Sequence, residues 1–398
     1  FFAGARLTNE EMYLIKKLAS TVVKSENIGS FHYLGRGDGY FRSSFENVPF
    51  QDFSKAGKFY LLGSEINMDN AVAGFLINTS KVPVELITVK EKSSMAEKVT
   101  KTSVIKDYYF FVKAVNYYLL KNNKFNRMYI NDNCKDFEEY AKALLAEDYK
   151  ALLEKGSCCQ ECLESFADGF NENMNAVLVF SEKEISGNTA YELYNLALLT
   201  GKLGKTAMGI VSLKEKNNAQ GLFDMGFIHP MYEALHKGKY ANLFIYGEDP
   251  VGCAIDKAMM SEILGKSGFI MVQDYFMTET ARAADLIMPA SLPFEIGGTF
   301  TNTQRYIQKF HAALINKPVP EVNSYGQLCQ IISNFTEQKI MDCDEIFSEF
   351  VSMLPLADKT IRSFVKTGSD NTNRMFYYGC DNVVKSFMED FNKKLQLK

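Results

Sequence analysis

Residues 242 to 305 constrain the fold more than any other stretch, because they join short apolar runs to polar turns in the order a parallel α/β sheet requires. Leu243 to Tyr246 and Phe269 to Val272 are apolar and bounded by turn signals, as strands covered on both faces are. Each run ends in polar residues, Gly247-Glu248-Asp249-Pro250 after the first and Gln273-Asp274 after the second. Open α/β sheets bind ligands in the crevice beyond the carboxyl ends of their strands. Both turns therefore fall where a site would lie, although turns there are also simply turns. Thr278 to Ala284 reads as a short helix and Leu286 to Pro289 as another buried strand. Gly297-Gly298-Thr299 reads as a loop whose glycines can adopt positive φ or let a ligand lie on the backbone.

The remaining chain alternates similar units. Thr8-Asn9-Glu10-Glu11 starts a helix, with a Thr or Asn cap, acids in the first turn and apolar positions 12, 14, 15, 18, 19, 22 and 23 on one stripe. Residues 26 to 44, rich in glycine and aromatics, read as a loop. Lys58 to Leu62, the turn Gly63-Ser64-Glu65-Ile66-Asn67, a helix and Val84 to Val89 make a βαβ unit. Residues 106 to 156 read as helical scaffold, Ala176 to Phe180 as a strand, and Thr189 to Leu199 as a helix. Beyond Gln308 the pattern is helical, with Pro318-Val319-Pro320 as a linker and Lys393, Lys394 and Lys398 as a solvated basic tail. In Cys158-Cys159-Gln160-Glu161-Cys162, a C-x-x-C pair lets two thiolates converge on one ion but needs further ligands, with Cys134 a nearby candidate. The plainer reading is small buried residues opening a helix.

Composition excludes several classes. The 398 residues, 46% hydrophobic and 23% charged, suit a globular chain with a sizeable core. A formal net charge of −4 without a basic patch argues against nucleic acid. No apolar run approaches the roughly 18 residues of a membrane helix, so membrane contact is expected only through a partner. The eight cysteines show no regular disulfide framework and no charged-then-apolar leader opens the chain, which points to a reducing, cytoplasmic setting. Phe1 to Ala5 are strand-like from the first residue, which suggests a fragment or an absent upstream domain.

The pattern GEDP, VQDYFMTETARAAD, LIMPA and E-x-GGTFTNT-x-R closely resembles the molybdopterin-dependent oxidoreductases, especially formate dehydrogenase catalytic subunits and the large iron–sulfur subunit of NADH:quinone oxidoreductase, complex I. The resemblance begins at R-x-TNEE-x-Y, from residue 6. It implies an α/β fold of parallel sheets flanked by helices, here without the family's C-terminal β-barrel. It further implies molybdenum-facing regions at 1–50 and 180–240, Rossmann-like pterin-dinucleotide regions at 51–179 and 241–316, and a helical segment at 317–398.

Carried over position by position, the resemblance also exposes departures. Matching Asn27-Ile28 to the family's loop places Gly35 at the metal-ligand position and Arg36 at that of the catalytic histidine. Glycine has no ligand atom, arginine stays protonated near neutral pH, and His32 holds the only imidazole in the loop. Gly63 and Asn67 match the turn that touches the pterin dinucleotide, but Lys90 stands where the family has an acid. Asn217, Asn218, Gln220, Gly221 and Asp224 reproduce the loop N-N-x-Q-G-x-x-D-M-G, after Lys214 in place of a substrate-holding arginine; lysine keeps the charge but loses the planar fork. Gly247, Glu248, Asp249, Gln273, Asp274, Thr278, Thr299 and Asn302 complete the cofactor-binding positions implied.

Changes at the metal ligand and the dinucleotide acid, with the absent barrel, point together to a scaffold without the chemistry. The expectation is a non-catalytic, formate-dehydrogenase-like subunit of an NADH- or ferredoxin-linked redox complex, binding no metal, with iron–sulfur clusters and FMN or NAD on partner subunits. The alternative is an active oxidoreductase chain or fragment holding molybdopterin guanine dinucleotide with molybdenum or tungsten; a stand-alone nucleotide-binding protein is the third. The surviving polar positions, Thr299 to Asn302 included, are expected to gather at the carboxyl edge of a sheet and to satisfy one another. An apolar face made of Met12 to Val23 with Phe31, Tyr33, Tyr40 and Phe41 is expected to meet a partner.

Overall fold

In the computed structural model, which describes residues 1–34, 36, 39–95, 98–157, 159–228, 231–313, 323–337, 341–354 and 362–368, the apolar runs of the central stretch form neighbouring strands. Asn242–Tyr246 pairs in parallel with Phe269–Asp274, with Ile245 opposite Val272. Phe2–Ala3 joins on one side, Phe2 opposite Ile245, and Leu286–Pro289 on the other. This four-stranded parallel sheet belongs to a compact unit built from Phe1–Arg36 and Lys216–Leu356. Its core gathers Phe2, Phe31, Leu243, Ile245 and Val272 from distant parts of the sequence.

Leu286–Pro289 is a strand but not a buried one, with Leu286 47% and Ile287 41% exposed. As the outermost strand it has a neighbour on one side only, so an apolar run reads the same at an edge as in the middle. Residues 217–226 are also not a loop throughout: Ala219–Met225 is a helix closed by Gly226 at φ 82°. Its Leu222, Phe223 and Met225 are buried, so helix-spaced contacts rather than turn residues decide its conformation. Gly298–Thr301 is likewise a strand, paired antiparallel with Ile307–Phe310.

The helix Asn9–Lys17 starts as its cap predicts. Thr8 Oγ1 accepts the Glu11 N–H and Glu11 returns a carboxylate oxygen to the Thr8 N–H, a capping box that satisfies two otherwise orphan donors. Most of the expected apolar partner face is covered within the chain, while Val23 at its end is 48% exposed. Met12, Leu14 and Ile15 are buried, Phe31 stacks on Phe2 at 4.3 Å, and Tyr33 meets the edge of Phe223 at 4.8 Å. Aromatics clustered in sequence here find their cover within the chain itself.

The second unit, residues 37–215 with 357–371, holds a five-stranded parallel sheet. Its order is Lys101–Val104, Val84–Thr88, Lys58–Leu62, Ala176–Ser181 and Gly209–Leu213. In chain order this is 3-2-1-4-5, so the direction of winding reverses between Lys58–Leu62 and Ala176–Ser181. Such a switch point is where doubly wound sheets open a crevice for ligands. Helices between 108 and 172 cover one face, packing Phe166 and Phe170 edge-on against Tyr60 at 5.3 and 5.4 Å. Within the expected loop of 26–44, Tyr40–Phe45 forms a short helix, and Tyr40 is buried with its hydroxyl donating to the Ile185 carbonyl at 2.6 Å. Residues 362–368, in a segment read as helical, instead run extended: Asn195 exchanges two hydrogen bonds with the backbone of Val365.

Among the described residues no β-barrel is present and no helix is long and apolar enough to cross a membrane. Gly35, Cys158, Pro318-Val319-Pro320 and the terminal lysines lie outside the described residues, as does the side chain of Phe41.

Candidate functional site

In the first unit, parallel strands bring Gly4, Gly247 and Asp274 to one sheet edge. Glu248 follows at that edge and turns its carboxylate back onto the loop of residues 30–32. It accepts Ser30 Oγ at 2.7 Å, the Phe31 N–H at 2.9 Å and the His32 N–H at 3.2 Å. Burial outweighs these bonds and pushes its pKa up to about 7. Asp249 caps the next turn, accepting the Gly252 N–H at 3.1 Å and both the N–H and hydroxyl of Thr280. Asp274, whose pKa burial also raises, receives Arg6 Nη2 at 2.6 Å, while Arg6 Nε donates to the Gly247 carbonyl. Gln273 donates to Gln327 Oε1 at 2.7 Å, and Thr278 caps the helix Glu279–Arg282.

A second polar knot in this unit joins the Asn9–Lys17 helix, the Ala219–Met225 helix and the 298–310 hairpin. Glu10 accepts both the N–H and the hydroxyl of Thr299, at 2.9 and 2.8 Å. Asn9 donates to the hydroxyls of Thr299 and Thr301, and Asn218 bridges the Leu7 carbonyl and the Thr301 N–H. Gly221 is required here by space, because a Cβ would lie 2.4 Å from the side-chain oxygens of both Asn9 and Asn218. Gln220 and Arg305 both reach Asp224. Asn302 serves the hairpin turn, accepting the N–H groups of Gln304 and Tyr306, and Asn217 is exposed. Burial raises Glu10 and brings Glu11 up to about 7. Arg36 is buried, its guanidinium 3.4 Å from both the Nε2 and the carbonyl of His32.

In the second unit, a carboxylate spans the switch point between the strands that end at Leu62 and Ser181. Glu184 Oε1 accepts the Ser64 N–H at 2.7 Å and its hydroxyl at 2.8 Å, directly after Gly63. This backbone N–H, at the turn leading into a helix, is the kind of group that would otherwise face an anion. Asn67 is bound from outside by Asn78, and Lys90 is exposed. At the end of the neighbouring strand, Lys214 Nζ is buried between Glu182 Oε1 at 2.6 Å and Ser44 Oγ at 2.7 Å, while Ser212 donates to the same Glu182 oxygen.

Gly63, Gly247, Glu248, Asp249, Gln273 and Asp274 thus lie at strand ends, whereas Asn218, Gln220, Gly221, Asp224, Thr299 and Asn302 belong to the helix-and-hairpin knot, and the partners of both sets are largely residues the sequence did not single out. Ser30, Glu182 and Glu184 carried no motif. Arg6, Asn9 and Glu10 were visible as the R-x-TNEE-x-Y opening of the resemblance and, for Asn9 and Glu10, as a helix start, but without the partners they take. Cys159 and Cys162 are joined to each other rather than aimed, with Cys134, at an ion, and among the described residues no group of three His, Cys, Asp or Glu could hold a metal.

The molybdopterin oxidoreductase family pattern matches residues 1–318. Two relatives from Staphylococcus aureus, each described as "Putative formate dehydrogenase", are similar over 415 aligned residues: that of the bovine RF122 / ET3-1 strain is 26% identical and that of strain MRSA252 25%. Both alignments take in 89% of this chain but 41% of the relative, so the chain spans about two fifths of their length. Acetylene hydratase from Pelobacter acetylenicus has a similar fold, with a TM-score of 0.60 at 12% identity over 84% of this chain and 55% of that one.

Proposed function

From the premise that this chain belongs to the molybdopterin oxidoreductase family, we propose that it is a non-catalytic, formate-dehydrogenase-like scaffold subunit of an NADH- or ferredoxin-linked redox complex in the cytoplasm. The observation that carries this reading is the Glu184 carboxylate on Ser64. Molybdopterin guanine dinucleotide is anionic, and a phosphate seeking that N–H would meet a like charge already seated there. The residues present do not fit the group at this half-site. Three further features support the same reading. Gly35 offers no ligand atom for molybdenum or tungsten. Lys214, where the family holds substrate, directs its charge into Glu182. Glu248, Asp249, Asn218 and Thr299 spend their hydrogen bonds on protein groups. Electrons would then pass through iron–sulfur and flavin centres on partner subunits.

The test is purification of the chain with its native partners, followed by elemental and flavin analysis. Iron and flavin should co-purify, with molybdenum and tungsten far below one per chain. Near-equimolar molybdenum or tungsten would overturn the non-catalytic reading, and a chain that comes away with no redox subunit would overturn membership of a complex.

A further inference from the structure

We propose that Cys159 and Cys162 form a thiol–disulfide exchange site that reacts with small thiols and dithiols. The helix Gln160–Glu172 begins immediately after Cys159, its N-cap, and Cys159 Sγ accepts the Cys162 N–H at 3.1 Å. The two sulfurs are joined, with Cα atoms 5.6 Å apart. Ser157 holds the approach to the pair, its hydroxyl donating to the Cys159 carbonyl at 2.8 Å and accepting the Cys159 N–H at 3.3 Å. Both cysteines are half-buried, and the intervening Gln160 and Glu161 are exposed, so a small thiol can reach the bond.

Two physical features separate this arrangement from a structural staple. A cross-link between residues three apart closes almost the shortest loop possible and so constrains the unfolded chain very little. The helix has its own anchorage in buried Leu163, Phe166 and Phe170 and does not need the bond to stay in place. Reactivity, by contrast, is what the placement favours. A thiolate at a helix N-cap faces unsatisfied N–H groups and the positive end of the helix dipole, which stabilise the nucleophilic form.

Exchange proceeds by two successive displacements at sulfur. A thiolate of the reductant attacks Cys162 Sγ; the protein S–S bond breaks and Cys159 leaves as the thiolate that the Cys162 N–H supports. The reductant's second thiolate then displaces Cys162 from the mixed disulfide. Two electrons enter the protein, two protons end on the cysteines, and the dithiol becomes a disulfide.

The experiment equilibrates the full chain in stepped ratios of reduced to oxidised dithiothreitol, quenches with acid, alkylates with N-ethylmaleimide and maps the peptides by mass. The peptide carrying both residues should pass from no alkylation at these two sulfurs to two in a single transition, with the far-UV circular dichroism unchanged. A Cys158→Ser variant should behave alike, and adding Cys159→Ser should leave Cys162 alkylated at every ratio. The proposal is overturned if both sulfurs are alkylated at the oxidising extreme, if reduction removes helical signal, or if Cys158→Ser abolishes the transition.

Discussion

Replacing Glu248 with Gln tests whether burial, rather than its hydrogen bonds, governs this carboxyl. Its pKa rises from the ordinary 4.5 to about 7 in the folded chain. Below pH 4.5 both folded and unfolded states bind the proton. Between 4.5 and 7 the unfolded state has released it while the folded state keeps it, so stability falls as pH rises through this window and levels off above it. At about 1.4 kcal/mol per pH unit, the loss from this one group is about 3 kcal/mol. Glutamine resembles the protonated acid in being neutral and in pairing an acceptor oxygen with a donor group, here an NH2 with two N–H bonds, so Glu248→Gln should be tolerated near pH 4.5 at a cost of about 1 kcal/mol for the bond pattern it disturbs. It cannot ionise, and relative to the parent it should gain about 3 kcal/mol by pH 8. Because the chain has two units and need not unfold in one step, the measurement is amide hydrogen exchange at Phe31 and His32, whose N–H groups Glu248 accepts, taken across that pH range. Parallel pH profiles in parent and variant would refute the reasoning.

Two further substitutions probe other parts of the fold. Lys214→Met should destabilise by about 3–5 kcal/mol in chemical denaturation, because it strands the fully buried Glu182 carboxylate without its cation; a loss below about 1 kcal/mol would mean the pair behaves like a surface bridge. Gly298→Ala should lower the melting temperature, since φ is +134° and the new Cβ would sit 2.5 Å from Tyr325 Oη and 2.9 Å from Thr8 Cγ2; an unchanged melting temperature would show that the hairpin shifts freely.

The elements formed by short-range rules could be read from the residues alone. The Thr8 cap and its Glu11 return, the parallel strands at 242–246 and 269–274, and the βαβ unit from Lys58 depend on neighbours within a few positions, and the family pattern followed from their order. What the polar residues do depended on the tertiary structure. Glu10 meets Thr299 across 289 positions, Glu248 meets Ser30 across 218, and Glu184 reaches Ser64 across 120. The sequence shows each carboxylate but not the donor it will find, because a buried charge takes whichever partner the packing delivers. Exposure is decided in the same way: Leu286 and Phe31 are equally apolar as letters, yet one ends on a sheet edge and the other in the core, since burial belongs to the set of surfaces that come together.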